Sequence, residues 1–348
     1  METFWYIALS FMFIMYVILD GFDLGAGIVH FWVGRTEGDR RIILNAIGPY
    51  WDGNEVWLIA AGGTLYFAFP KLYAASFSGF YLPLILVLWV LILRALGIEL
   101  RHHVQHLMWK AFWDRTFSVG SLLLTVFLGA ALGNIIRGVP LNQDGYFFVP
   151  LWTNFLPGPH PGVLDWFTLL FVAVAVSTLT VHGAHYLAFK TGGELQQRAA
   201  RVAGRAWWGL TVCSVLALVA TPAVRPGFWA RFGEHPWGGA FVLLSLAGWL
   251  GMYAFNRKGE HFRAFLASAA FIAGMGAVTA FAHYPVTLYS SVNPAWNLTV
   301  HNTAAGAYGL KIGLLWWIPG ILLACAYFAY LFYIFRGKIT SVPEDAGY

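Results

Sequence analysis

Apolar stretches of about 20 residues recur along the whole chain, and most Lys, Arg, Asp and Glu lie between them. A helix of that length crosses a bilayer core of about 30 Å. In hydrocarbon every backbone N–H and C=O must be paired within the protein, so the pattern points to membrane-spanning helices. Only 11% of the 348 residues are charged and 59% are hydrophobic. Soluble domains carry about 25% charged residues. The chain therefore reads as an all-α integral membrane protein, with 1–348 as a single membrane domain.

Nine spans are expected, at roughly 5–33, 44–68, 72–94, 117–137, 163–189, 207–225, 237–256, 264–289 and 309–335. The odd-numbered connections and the C-terminal tail collect 16 Lys and Arg, including Arg35, Arg94, Arg101, Lys190 and Arg198. The alternate connections collect 4: Lys71, Arg137, Arg225 and Arg231. Cytoplasmic loops carry the excess of basic residues, which places the N-terminus outside and the C-terminus in the cytoplasm. The net charge of +5 is thereby accounted for by loops, and no soluble basic segment with interleaved aromatics suggests nucleic-acid binding. No Lys or Arg precedes the first apolar run and no small-residue cleavage site follows it, so it is expected to be a retained span. The longest outer connection, GVPLNQDGYFFVPLWTNFLPGPHPG, is expected to lie along the outer interface. Cys213 and Cys325 stand singly in apolar spans and read as small core residues.

Within the first span stands VILDGFDLGAG. A charged Asp at the bilayer centre costs about 2.5–3.5 kcal/mol on insertion scales. Asp20 and Asp23 are three apart and share one helix face. Gly21 and Gly25 form a GxxxG pair about 150° around the helix, suited to close packing on a neighbour. The second span repeats the theme in IGPYWDGNEVWLIAAGGTLYFAFP. Gly48-Pro49 is expected to kink or delay its helix. Trp51, Asp52 and Glu55 then fall on one face, with Asn54 to the side. Counted from the cytoplasmic ends of these spans, Asp52 lies roughly 12 Å deep and Asp23 roughly 15 Å deep. Buried carboxylates can hold and pass protons. They can equally cap a broken helix, hydrogen-bond a neighbour such as Asn54, or bind substrate.

Of eleven histidines, His102, His103 and His106 read as a solvated inner loop, and no clear facing pair of haem ligands stands out among His182, His185 and His283. No metal-ligand motif is present, and neither a phosphate loop nor a nucleophile elbow occurs.

Four stretches carry a resemblance: LDGFDLGAG, then GPYWDGNEVWLIAAGGTLYFAFPKLYAASFSGFYLP, then GNIIRGVPLN, then NPAWNLTVHNTAAGAYGLK. In this order they resemble subunit II of cytochrome bd-type quinol oxidases. The resemblance implies a haem-free subunit of a respiratory terminal oxidase that oxidises quinol and reduces oxygen to water. It implies two four-helix bundles plus a peripheral helix, in a bacterial or archaeal plasma membrane. The two b-type haems and haem d would belong to the partner, subunit I. Further partners would be lipid and quinone, with a small accessory subunit or a structural quinone in some members. Asp52 matches the aspartate associated with proton entry from the cytoplasm. Asp20 and Asp23 would belong to the same path or to a stabilising network. Trp51 would pack and hydrogen-bond, and Glu55 stands where some relatives carry glutamine. Two other readings fit the residues alone: a proton-coupled secondary transporter using the three aspartates, and a b-type cytochrome subunit with its own haem.

Overall fold

Prolines, glycines and polar caps set the helix boundaries in this chain more sharply than hydropathy does. The structure is a computed structural model and describes residues 1–341; positions 342–348 of the expected membrane domain lie outside the described residues. Helix α1 (Glu2–Ile28) is followed by one turn, α2 (His30–Val33), and by α3 (Glu37–Ile47). Then come α4 (Trp51–Ala68), α5 (Pro70–Gly79), α6 (Tyr81–Glu99) and α7 (Leu107–Arg137). The second half holds α8 (Trp166–Lys190), α9 (Gly193–Val224), the short α10 (Ala230–Glu234), α11 (Gly239–Arg257) and α12 (His261–His283). A small hairpin of β1 (Val286–Leu288) and β2 (Leu298–Thr299) precedes α13 (Val300–Thr303) and α14 (Ala307–Ile334).

Among the described residues, 8 helices are long and apolar enough to cross a membrane: α1, α6 with the turn after it, α7, α8, α9, α11 with the turn before it, α12 and α14. Helix α4 packs against α1 but falls outside this set, because Asp52, Asn54 and Glu55 occupy its first two turns. The second apolar run is broken. Helix α3 ends at Ile47, Gly48-Pro49-Tyr50 form a turn, and α4 starts at Trp51. The third is broken at Phe80, so the expected 72–94 becomes α5 and the later α6. Pro70 opens α5 and Pro83 sits in the first turn of α6, where a missing N–H breaks no helical bond. Helices α7 and α9 run well beyond the expected starts at 117 and 207, because polar residues extend a helix past the hydrocarbon as readily as a loop.

Helix α1 is central and packs on α4, α7, α8 and α12. Its contact with α8 depends on glycine. A Cβ on Gly25 would collide with the Leu179 carbonyl and the Gly183 backbone, and one on Gly183 would collide with Gly25. Close backbone approach of this kind supplies dispersion contacts that lipid-tail solvation cannot replace. Helices α2 and α3 and the turn after α6 are tied to α7 by charge: Asp114 accepts from His30 Nε2 at 2.8 Å and from Arg101 Nε at 2.6 Å, and Arg101 also reaches Glu37 at 2.9 Å. Helix α14 lies on the outside, with its apolar window entirely unburied within the chain.

Candidate functional site

Two turns of α1 and two turns of α4 bring four acidic side chains to one region. Asp20 and Asp23 are fully buried. Asp23 lies five residues before the end of α1, or about 8 Å at the helical rise. The unbroken helix beyond Asp23 is shorter than the sequence suggests, because α1 stops at Ile28 instead of running to 33. Asp52 likewise sits in the first turn of α4 instead of deep in a continuous span. A carboxylate there is favoured by the helix dipole.

Arg94 organises the cluster. It lies inside α6 and is completely buried. Its Nη1 donates to Asp20 Oδ1 at 2.7 Å and its Nη2 to Glu55 Oε2 at 2.9 Å. Gly120 of α7 makes room for its stem, since a Cβ there would stand 3.2 Å from the Arg94 Cβ. Asp23 is held differently. Its Oδ2 accepts from Asn54 Nδ2 at 2.7 Å, and the same amide reaches the Leu19 carbonyl at 3.2 Å. Asp20 Oδ2, Asp23 Oδ1, Asn54 Oδ1 and Arg94 Nε are buried without a hydrogen-bond partner among the described residues.

Exposure is graded along α4. Asn54 is buried, the Glu55 side chain is 21% exposed, and Asp52 is exposed on the helix flank. Asp52 and Glu55 are three apart and therefore neighbours on that flank. A row of polar groups thus runs from Asp52 at the surface, through Glu55 and Arg94, to buried Asp20, with Asp23 and Asn54 alongside. Trp51 is buried beside this row, and Gly21 packs on Leu179 and His182 of α8.

The sequence reading differs from this geometry in two ways. Asn54, placed to the side of its helix face, is the inward-facing partner of Asp23, one of the hydrogen bonds the sequence left open. Arg94, assigned to an inner loop, is the cluster's cation. Its sequence signal is an arginine inside YLPLILVLWVLILRALGIEL, with apolar residues on both sides. A residue so placed is held by a partner far more often than it is solvated.

Two of the three histidines weighed as haem ligands have both ring nitrogens engaged. His182 Nδ1 bonds Ser268 Oγ at 2.7 Å and its Nε2 the Ile18 carbonyl at 2.8 Å. His283 uses both nitrogens on the Thr279 and Ile135 carbonyls, at 2.8 and 3.2 Å. An iron would have to displace these bonds. His185 alone of the three has both ring nitrogens buried and unpartnered among the described residues.

Comparison with known proteins decides what this helical frame is. The family model for cytochrome bd terminal oxidase subunit II matches residues 1–335. The chain belongs to the cytochrome bd oxidase subunit II family. It is 30% identical over 341 residues to the cytochrome bd ubiquinol oxidase subunit 2 of Bacillus subtilis, covering 97% of this chain and 96% of that protein. It is 38% identical over 229 residues to the cytochrome bd-I ubiquinol oxidase subunit 2 of Escherichia coli. That alignment covers 66% of this chain and only 57% of the Escherichia coli protein. Its fold is similar to that of a chain in the bd oxidase of Geobacillus thermodenitrificans, with TM-score 0.76, 16% identity and coverage of 96% and 98%. In subunit II terms, the WDGN stretch supplies the start of α4, and the LDGFD stretch supplies the carboxylates that face it.

Proposed function

We propose that this chain is the non-redox subunit of a respiratory terminal oxidase. The complex oxidises quinol and reduces oxygen to water, with the haems in a partner subunit I. Here the chain supports that partner and supplies it with protons taken from the cytoplasm. The observation that carries this reading is the polar row from Asp52 through Glu55 and Arg94 to Asp20, with Asp23 beside it. Asp20 and Glu55 share the Arg94 guanidinium, and Asp23, buried beside them on Asn54, has no cation of its own. A neutral cluster in this setting holds two protons, and a store of protons on adjacent acceptors is what a relay needs.

The same row indicates where the partner sits. Asp52 is exposed beside Val56 and Ile59, which are 51% and 70% exposed. Facing lipid, such a carboxylate would cost about 2.5–3.5 kcal/mol at the bilayer centre, less towards the headgroups. Covered by subunit I, it stands where the polar row of this chain meets the partner. We take α4 as a ninth span, so that the basic connections face the cytoplasm, the N-terminus lies outside and the helices form two four-helix bundles with α14 peripheral.

Asp52→Asn tests the reading. Oxygen consumption by the purified complex falls while haem content and subunit ratio stay normal. Normal turnover in this variant removes the proton-delivery role. Loss of haem together with turnover makes Asp52 structural instead.

A further inference from the structure

Away from the carboxylate cluster, a groove of about 840 Å³ opens between α8 and α9 beneath α2. Its two ends differ in chemistry. Arg35, Arg198, Arg201 and Arg205 line one end. Ala173 and Val176 of α8, and Ala206 and Gly209 of α9, line the other. Ser177 and Thr180 also face it, but their hydroxyls donate to their own helix at 2.7 and 2.6 Å, so they present apolar walls. No atom lies within 4 Å of where a Cβ on Gly209 would stand, which leaves room for a chain along the wall.

Arg198 is committed to the fold. It donates to the Val33 carbonyl at 2.8 Å, to Asp39 at 2.7 Å and to Glu194 at 3.2 Å. The Arg35, Arg201 and Arg205 side chains have no carboxylate partner among the described residues; Arg201 bonds only the Gln197 carbonyl, at 3.4 Å. Arg201 and Arg205 are four apart on α9 and point the same way. Gathering cations around one opening is unfavourable unless an anion joins them. Trp32, 61% exposed, and Phe31, 42% exposed, stand at the same rim, where aromatic rings meet lipid headgroups.

We propose that this groove holds an anionic phospholipid, its phosphate on Arg201, Arg205 and Arg35 and an acyl chain along Ala206, Gly209, Ala173 and Val176. A free phosphate would satisfy the cations but leave the apolar half unfilled. A zwitterionic lipid would fill the groove but return little to the cations. Basic pockets between membrane helices select anionic headgroups for this reason. The orientation proposed above makes the leaflet the cytoplasmic one; lipid retention in detergent is read without reference to the leaflet, so an error in orientation leaves the test intact.

Native mass spectrometry of the complex, purified in mild detergent and supplied with either phosphatidylglycerol or phosphatidylcholine, tests the proposal. The wild type retains phosphatidylglycerol in preference to phosphatidylcholine, and millimolar inorganic phosphate does not displace it. The double variant Arg201→Gln/Arg205→Gln retains it roughly twentyfold less, the loss of two cations beside an anionic headgroup. The pair Arg257→Gln/Arg263→Gln, basic residues at the connection between α11 and α12 and outside the groove, leaves retention unchanged. Equal retention in the Arg201/Arg205 variant overturns the site, as does equal loss in the control pair. Phosphatidylcholine held as firmly, or displacement by phosphate, overturns the assignment to an anionic phospholipid.

Discussion

Two of the chain's buried arginine–carboxylate groups are built on opposite plans. At one end of α7, Arg137 pairs with Asp165, bonds Asn134 Oδ1 at 2.6 Å and donates to the Gly138 and Gly162 carbonyls at 3.2 Å each. Asp165 also caps α8 through the Thr168 amide at 2.8 Å, and Asn134 spans to the Val163 carbonyl at 2.8 Å. One cation meets one anion, and none of these three side chains has a buried unpartnered atom among the described residues. Around Arg94, two carboxylates share one cation, a third, Asp23, rests on Asn54 alone, and four polar atoms lack partners among the described residues. A closed network fixes a loop onto a helix end. An open one with surplus acid is what the proposed proton delivery would use.

That contrast can be broken by mutation. The largest effect is expected from Arg137→Leu, which strands Asp165 in a closed site. A loss of about 3–5 kcal/mol is typical for breaking a buried pair, read as a lower denaturation midpoint and a low yield of intact complex. Asp23→Asn comes next, in rate and not in stability. Asparagine preserves the shape and keeps an acceptor for Asn54, so the complex assembles, but turnover falls by roughly a hundredfold, the scale of a positioned proton-transfer group. Arg94→Leu sharpens the comparison. The carboxylates it strands can be neutralised by protons, so the complex survives better than Arg137→Leu in the same denaturation assay. Equal collapse of both variants would mean that the two clusters are alike. Glu55→Gln is smallest: the amide oxygen still accepts from Arg94, and oxygen consumption drops less than tenfold. A larger drop would make Glu55 the main carrier.

Much of this architecture was legible in the sequence, because hydrocarbon-length apolar runs and basic loops are written in composition alone. The pairing of Gly25 with a neighbouring helix was legible too, since small residues four apart have few other uses in a span. The breaks at Gly48–Tyr50 and Phe80 were only partly so. Pro49 marked the first, whereas the apolar run through Phe80 showed no change in hydropathy. Arg94 escaped because a count of basic residues assigns each one to a loop and ignores that a buried carboxylate can draw it into a helix. An Asp–Asn54 hydrogen bond was among the sequence's alternatives, but which aspartate it joins depends on which side of α4 meets α1, and no periodicity in WDGNEVW records that. The Arg137–Asp165 pair was invisible, since a long connection separates its members and only the folded chain brings α7 and α8 together.

The central claim is that the Arg94 cluster stores protons on its surplus acids. Infrared spectroscopy of the purified complex at neutral pH, in ordinary and heavy water, reads this directly. The account predicts a deuterium-sensitive carbonyl band of protonated carboxylic acid that weakens in Asp23→Asn. A spectrum without that band, or one that Asp23→Asn leaves unchanged, would contradict it.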